Sequence, residues 1–295
     1  MYMSSILTIK DLKKYFGKTH AVDGINLEVK KGEIFGFLGP NGAGKSTTIR
    51  CIMGYIKVSS GDISVLGHDM AIHSEIAKRE IGYLPGNVKL YDNWTGRDHI
   101  EFFENVRGKS KNVSNLIDRF NYNPTVKFKH LSSGNKQKLG LILALMHEPK
   151  LLIMDEPTVG LDPLLQNDIY KILLEMRDHG TTIFISSHNL PEVEKLCDRI
   201  AIIKDGKLVS IEDIKSLSQK KFHKIEVRFG DKFKKSEFKI NGVDKIEEIT
   251  DGLLITIKGD LNPILQILAR HKIVNLEITH ASLEDIFLKF YERNQ

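Results

Sequence analysis

The chain has 295 residues, 41% hydrophobic and 27% charged, with a formal net charge of +5. That length exceeds one ordinary compact domain and points to a large domain plus a smaller one, while the composition excludes a disordered chain. The modest, scattered positive charge requires no nucleic-acid face, so no nucleic-acid partner is expected. The longest strongly apolar run, Leu139 to Met146, is far short of the roughly 20 residues that span a bilayer, and the polar N-terminus has no signal-peptide core. A cytoplasmic chain is expected. Cys51 and Cys197 have no second Cys or His at ligand spacing and read as free, buried thiols.

In chain order, Ile25, Leu27 and Val29 alternate with polar residues, and an apolar run from Glu33 to Leu38 follows, which predicts antiparallel strands leading to a buried one. Next comes "GPNGAGKST", which matches G-x-x-x-x-G-K-[ST] over Gly39, Pro40, Asn41, Gly42, Ala43, Gly44, Lys45, Ser46 and Thr47. A predicted helix, Lys45 to Gly54, continues from it. The strand and helix flanks are what such a loop needs. Gly39, Gly42 and Gly44 let the backbone curl so that its N–H groups face phosphate oxygens, Lys45 reaches the β and γ phosphates, and the Ser46 hydroxyl can ligate Mg²⁺.

Further apolar strands are predicted at Ile81 to Leu84, Leu151 to Met154, Ile183 to Ser186 and Ile200 to Ile203, interleaved with helical stretches. This is an α/β pattern with a mainly parallel sheet. From about 93 to 147 apolar residues recur at helical spacing, which predicts an inserted helical subdomain. Within it, "LSSGNKQKLGLI" reads as a helix start with Ser132 and Ser133 as caps, an end whose free N–H groups and dipole suit an anion.

"LLIMDEPT" is an apolar strand ending in Asp155 and Glu156, two carboxylates that a buried strand tip carries for a reason. Asp155 can hold Mg²⁺ through its water shell, and Glu156, on the opposite side of the strand, can orient or deprotonate a water. "ISSHNL" sets His188 just past another strand, at the edge where parallel sheets bind ligands. The texture changes at "KSLSQKK", Lys215 to Lys221, which divides the chain into 1–218 and 219–295. Beyond it "HKIEVRF", "DKIEEI" and "GLLITIKG" read as strands and Asn262 to His271 as a helix. A last helix, Leu283 to Tyr291, is opened by Ser282.

Taken together, these motifs resemble the ATP-binding subunit of an ABC transporter over about residues 5 to 218. "LSSGN", Leu131, Ser132, Ser133, Gly134 and Asn135, is similar to the family signature, "VGLDP" with Asp162 to its D-loop, and His188 to its switch histidine. Phe16 resembles the aromatic that stacks on adenine. The resemblance implies Mg·ATP hydrolysis, a head-to-tail homodimer in which the signature of one copy caps the γ phosphate held by the other, and a separate membrane permease. It thus implies a peripheral position on the cytoplasmic face of the membrane. The tail resembles the extension of ATPases serving ABC-2 type exporters such as antibiotic-resistance and bacteriocin-immunity systems, which implies export.

Leu90, Tyr91 and Trp94 fall where the family receives a helix of the permease, although packing inside the helical subdomain would use the same residues. One departure stands out: Gly86 and Asn87 occupy the place where many members carry a Gln that links Mg²⁺ and the attacking water. Either Asn87 takes that part or the Gly makes the loop more mobile.

Overall fold

In a computed structural model, residues 5–214, 216 and 222–280 are described. The backbone divides after Glu212 into two compact units. The boundary expected from Lys215 to Lys221 lies outside the described residues except for Ser216, and so does the helix expected at Leu283 to Tyr291.

The first unit opens with β1 (Ser5–Phe16) and β2 (Thr19–Lys30), an antiparallel pair continued by β4 (Ser60–Val65) and β5 (His68–Asp69) in the order β2-β1-β4-β5. The second sheet contains β3 (Ile34–Leu38), β6 (Ile81–Leu84), β7 (Leu151–Asp155), β8 (Thr182–Ser187), β9 (Arg199–Lys204) and β10 (Lys207–Asp213), in the order β10-β9-β3-β8-β7-β6. All the links from β9 through β3, β8 and β7 to β6 are parallel. Strands β3, β7 and β8 are buried at every residue, which is why they read as unbroken apolar runs rather than as alternation.

Helix α1 (Lys45–Ile52) leaves the C-terminal end of β3 through the glycine loop. Its Ile49 and Ile52 share one core with Leu7, Ile9 and Leu27 of the first sheet and Phe37, Ile153 and Phe184 of the second. The loop is thereby anchored on both sides. The Phe184 ring lies 5.5 Å from Phe37 and stacks on Phe35 at 6.0 Å. Both cysteines are buried; burial pushes the Cys51 thiol up to about 11 and the Cys197 thiol well above its ordinary value, so neither is a reactive thiolate.

Helix α2 (Ser74–Arg79) lies between β5 and β6, and between β6 and β7 lie α3 (Gly96–Arg107), α4 (Val113–Arg119) and α5 (Ser133–Leu145). Thr95 and Asp98 close a reciprocal capping box at the start of α3. Helix α5 is capped by Ser132, whose Oγ accepts from the Asn135 N–H at 3.3 Å; Ser133 is its first helical residue rather than a second cap. Past β7, α6 (Pro163–Asp178) leads to β8, and α7 (Leu190–Leu196) leads from β8 to β9.

The second unit is an antiparallel sheet of β11 (Phe222–Phe229), β12 (Val243–Ile249), β13 (Gly252–Lys258) and β14 (Ile273–His280), in the order β12-β13-β11-β14, with one further helix, α8 (Asn262–Leu268). Phe238, Ile225, Leu253, Ile255 and Ile264 fill its core. Strand β14, at the edge of the sheet, is not among the predicted elements, although Val274, Leu276 and Ile278 alternate with polar residues; in the fold these three side chains are exposed.

The C-terminal end of α3 is tied to the core sheet by Arg107. Its guanidinium donates to the carbonyls of Lys78 at 3.2 Å and of Arg79 and Ile81 at 3.4 Å, and to His147 Nε2 at 2.6 Å. Arg107 can only donate, so Nε2 accepts from it, while the same nitrogen lies 3.2 Å from the Ile81 carbonyl; next to the guanidinium the ring is neutral in the fold. Burial, with the Arg107 charge second, holds its pKa down at about 4. Unfolded, it returns to about 6.5. The unfolded chain therefore binds the extra proton between those values, and stability falls as pH drops from about 6.5 to about 4. His147→Gln is expected to flatten this slope by about 1 to 2 kcal/mol, a figure reduced for partial solvation of the ring. Urea unfolding at pH 4.5 and pH 7 measures it; an unchanged slope refutes the assignment.

Candidate functional site

Because β3, β7 and β8 are parallel neighbours, the glycine loop, Asp155 with Glu156, and His188 all leave the same edge of the sheet. A cleft of about 160 Å³ opens there, lined by Ala21, Pro40, Asn41, Gly42, Gly44, Lys45, Ser46, Thr47 and Glu156. Two glycines are sterically required in this loop. A Cβ on Gly39 would stand 2.4 Å from the Ile203 carbonyl, and one on Gly44, at φ 108°, would stand 2.4 Å from the Ala21 carbonyl. Thr48 Oγ1 donates to the Gly44 carbonyl at 2.9 Å, and Gly39 N–H donates to the Ser187 carbonyl at 3.2 Å, so loop, helix and β8 are joined.

Lys45 is only 5% exposed. Its Nζ donates to the carbonyls of Gly39 at 2.7 Å and Pro40 at 3.1 Å, and pairs with Glu156 Oε1 at 3.1 Å. Glu156 Oε2 contacts His188 Nδ1. One carboxylate therefore joins the lysine and the histidine, the three groups that the sequence singled out separately. Glu156 holds this position at φ 51°, in the left-handed region that a non-glycine residue adopts under constraint. The constraint is visible: its N–H donates to the Ser186 carbonyl at 3.1 Å and to Ser186 Oγ at 3.2 Å. The turn beyond it is fastened by Gln137 of α5, whose Nε2 donates to the Pro157 carbonyl at 2.9 Å, and by Gln166, which donates to the carbonyls of Thr158 and Leu161.

Asp155 is buried at the end of β7, and its Oδ1 accepts from Ser186 Oγ at 2.5 Å. Gly86 lies beside it: a Cβ there would be 3.2 Å from the Asp155 carbonyl oxygen and 3.5 Å from Oδ2. The position of the missing Gln thus adjoins the carboxylate assigned to the metal. The candidate metal ligands, Asp155 and the Ser46 hydroxyl, offer oxygen donors only, and among the described residues no three His, Cys, Asp or Glu side chains cluster as a protein cage. That fits Mg²⁺, which keeps waters and phosphate oxygens alongside one or two protein ligands.

The remaining sequence-flagged residues lie apart from the cleft. Leu131 to Asn135 begin α5, and none of them lines the cleft. Asp162 caps α6, accepting from the N–H groups of Leu164 at 3.1 Å and Leu165 at 3.0 Å. Phe16 is 51% exposed at the end of β1, with Lys14 Nζ 4.7 Å from its ring centroid, so it is not a core residue. It shares the β1–β2 hairpin with Ala21, which does line the cleft.

Tyr91 is 63% exposed and its ring lies 4.6 Å from that of Trp94. Trp94 in turn meets Phe102 at 5.7 Å, and buried His99 supports Tyr91 by accepting its N–H at 3.1 Å. Sequence reasoning missed Ala21, Ser186, Gln137 and Gln166. Small or amide side chains that act by reaching a backbone group carry no spacing signal.

A family model described as ABC transporter matches residues 22–159. A linearmycin-resistance ATP-binding protein of Bacillus subtilis (strain 168) is 39% identical over 213 residues, 70% of this chain and 68% of the relative. A bacitracin-transport ATP-binding protein of Bacillus licheniformis is 34% identical over 301 residues and covers 97% of both chains. Among solved structures, an ATP-binding subunit of an ABC transporter superposes with a TM-score of 0.68 at 30% identity, covering 73% of this chain and 92% of that one. With identity of this order extending over nearly the whole of a relative, the chain belongs to the ABC transporter family as an ATP-binding, ATP-hydrolysing subunit.

Proposed function

We propose that the chain drives export by a separate membrane permease, closing as a homodimer on Mg·ATP and reopening after hydrolysis. The observation that carries the chemistry is the bridge from Lys45 through Glu156 to His188. Loop N–H groups and Lys45 neutralise the phosphates, and the incoming γ phosphate takes Lys45 from Glu156. Glu156 is then free to orient water and accept its proton, while His188 hydrogen-bonds the γ phosphate. Asp155 and Ser46 would hold Mg²⁺, whose charge offsets that developing on the phosphate oxygens. Phe16, exposed beside the cleft-lining hairpin, stacks on adenine.

The homodimer reading draws support from what the fold leaves unused. The start of α5 points no residue of Leu131 to Asn135 into its own cleft, and Val159 and Leu164, on either side of Asp162, are 56% and 78% exposed. Ser132 and Gly134 of one copy would cap the γ phosphate on the other. The Tyr91, Trp94 and Phe102 surface suits the permease, and docking there would set the subunit at the cytoplasmic face of the membrane. Export is inferred from the bacitracin-transport and linearmycin-resistance relatives. The second unit serves a structural or dimer-stabilising part.

Glu156→Gln is expected to bind Mg·ATP but lower turnover by about 100-fold or more, while Lys45→Ala and Phe16→Ala weaken nucleotide binding itself. Wild-type turnover by Glu156→Gln would remove the proton-acceptor role. The head-to-tail arrangement is tested by mixing a Lys45→Ala subunit with a Ser132→Arg subunit. Each homodimer carries a defect in both sites, whereas the mixed dimer regains one intact site, read as nucleotide retained by tagged mixed dimers. Retention no greater than that of the parents refutes the trans role. Tyr91→Ala with Trp94→Ala is expected to lose copurification with a membrane protein while keeping ATP affinity; unchanged copurification moves the docking surface elsewhere.

A further inference from the structure

Glu192 stands in the first turn of α7 and is 3% exposed, four residues past His188. Both of its carboxylate oxygens are occupied by hydroxyls from different parts of the chain. Thr158 Oγ1 donates to Oε1 at 2.6 Å, and Ser187 Oγ donates to Oε2 at 2.5 Å. Thr158 follows Glu156 by two residues, and Ser187 immediately precedes His188. A single buried carboxylate therefore spans the two turns that bring Glu156 and His188 together. Ser187 is held on its other sides as well: its Oγ accepts from the Asn189 N–H at 2.9 Å, and its carbonyl accepts from Gly39 N–H.

We infer that Glu192 is a positioning residue for hydrolysis, fixing the turn after Glu156 against the turn before His188; this rests on the reading of Glu156 and His188 given above. Space filling alone does not account for it. A carboxylate in the interior is costly unless both oxygens are satisfied, and an aliphatic side chain would fill the same volume without that cost. Burial raises its pKa first and the Glu156 charge adds to the rise, while the two hydroxyls oppose both by stabilising the charged form. Gln137 and Gln166 brace the Glu156 turn without reaching Ser187–Asn189, and Ser186, itself bonded to Ser187, holds the Glu156 N–H from β8; Glu192 adds a side-chain tie that joins Ser187 to Thr158 on the far side of Glu156. Because Glu156 sits at φ 51°, its carboxylate keeps its aim only while the surrounding turn is over-determined. A misplacement near 1 Å at such a group costs on the order of 100-fold in rate.

The test compares full-length Glu192→Gln and Glu192→Ala with the unmutated chain in three readouts: steady-state ATP turnover, affinity for a fluorescent ATP analogue, and the melting curve without nucleotide. Glu192→Ala removes both hydrogen bonds and is expected to lower kcat by about 10- to 100-fold with ATP affinity changed less than about 3-fold. Glu192→Gln keeps the length and one acceptor oxygen, so it is expected to recover most of the melting temperature and part of kcat.

The deciding arm places Glu192→Gln in a Glu156→Gln background, with residual turnover followed over hours. A residue that acts by aiming Glu156 adds no further loss there. Multiplying losses, or a fall in kcat matched by equal falls in nucleotide affinity and melting temperature, overturns the inference. So does wild-type turnover in Glu192→Gln and Glu192→Ala. Wild-type turnover by Glu156→Gln alone would overturn the underlying reading of the site, and the inference with it.

Discussion

A lysine ammonium almost wholly removed from water needs compensating oxygens, and the architecture around Lys45 supplies them. Two carbonyls of its own loop and the Glu156 carboxylate surround Nζ. Everything else at the sheet edge follows from where that cation can be held. Strand β3 and helix α1 aim it, β7 brings the carboxylate, and β8 brings the histidine to the carboxylate's other oxygen. A phosphate chain offers the same cation more negative charge than Glu156 does, so nucleotide binding exchanges one ion pair for another. In the proposed cycle that exchange also releases the carboxylate, so filling of the site and freeing of Glu156 are a single event.

The parallel core was legible because strands buried on both faces appear as short unbroken apolar runs, and the five-residue strands β3 and β7 fell close to their expected bounds. The glycine loop was legible from its spacing and its flanks. Less visible were contacts whose meaning depends on which distant segments meet. Nothing in the spacing of Gln137 or Ser186 indicates that they brace a turn beyond their own elements, and Glu192 reads as an ordinary charged residue in the first turn of a helix. Strand β14 carries the period-2 signal of a strand, with Val274, Leu276 and Ile278 alternating with Asn275, Glu277 and Thr279, so it was legible in the sequence although it is not among the predicted elements. The capping of α5 by Ser132 alone, with Ser133 already helical, is a one-residue matter of backbone geometry that composition at a helix start does not resolve.

Gly86 gives the site its own character. Its backbone lies against Asp155, where an added Cβ would be tighter than ordinary contact with the aspartate carbonyl. A side chain there would need a small outward shift of the loop. Without one, the loop lies close against β7, and Asp155, itself buried, has no side chain from this position beside it. In the proposed site, a Mg²⁺ held by Asp155 would keep a water where a longer side chain could have been a ligand.

The positive φ at Glu156 sets folding and turnover against each other at one position. A glycine would relax that backbone, and asparagine would tolerate it better, but neither can serve as the proton acceptor. Against that relaxation stands the ion pair: replacing Glu156 would leave the Lys45 ammonium, 5% exposed, without its carboxylate partner, so backbone strain and charge compensation oppose each other at this one residue.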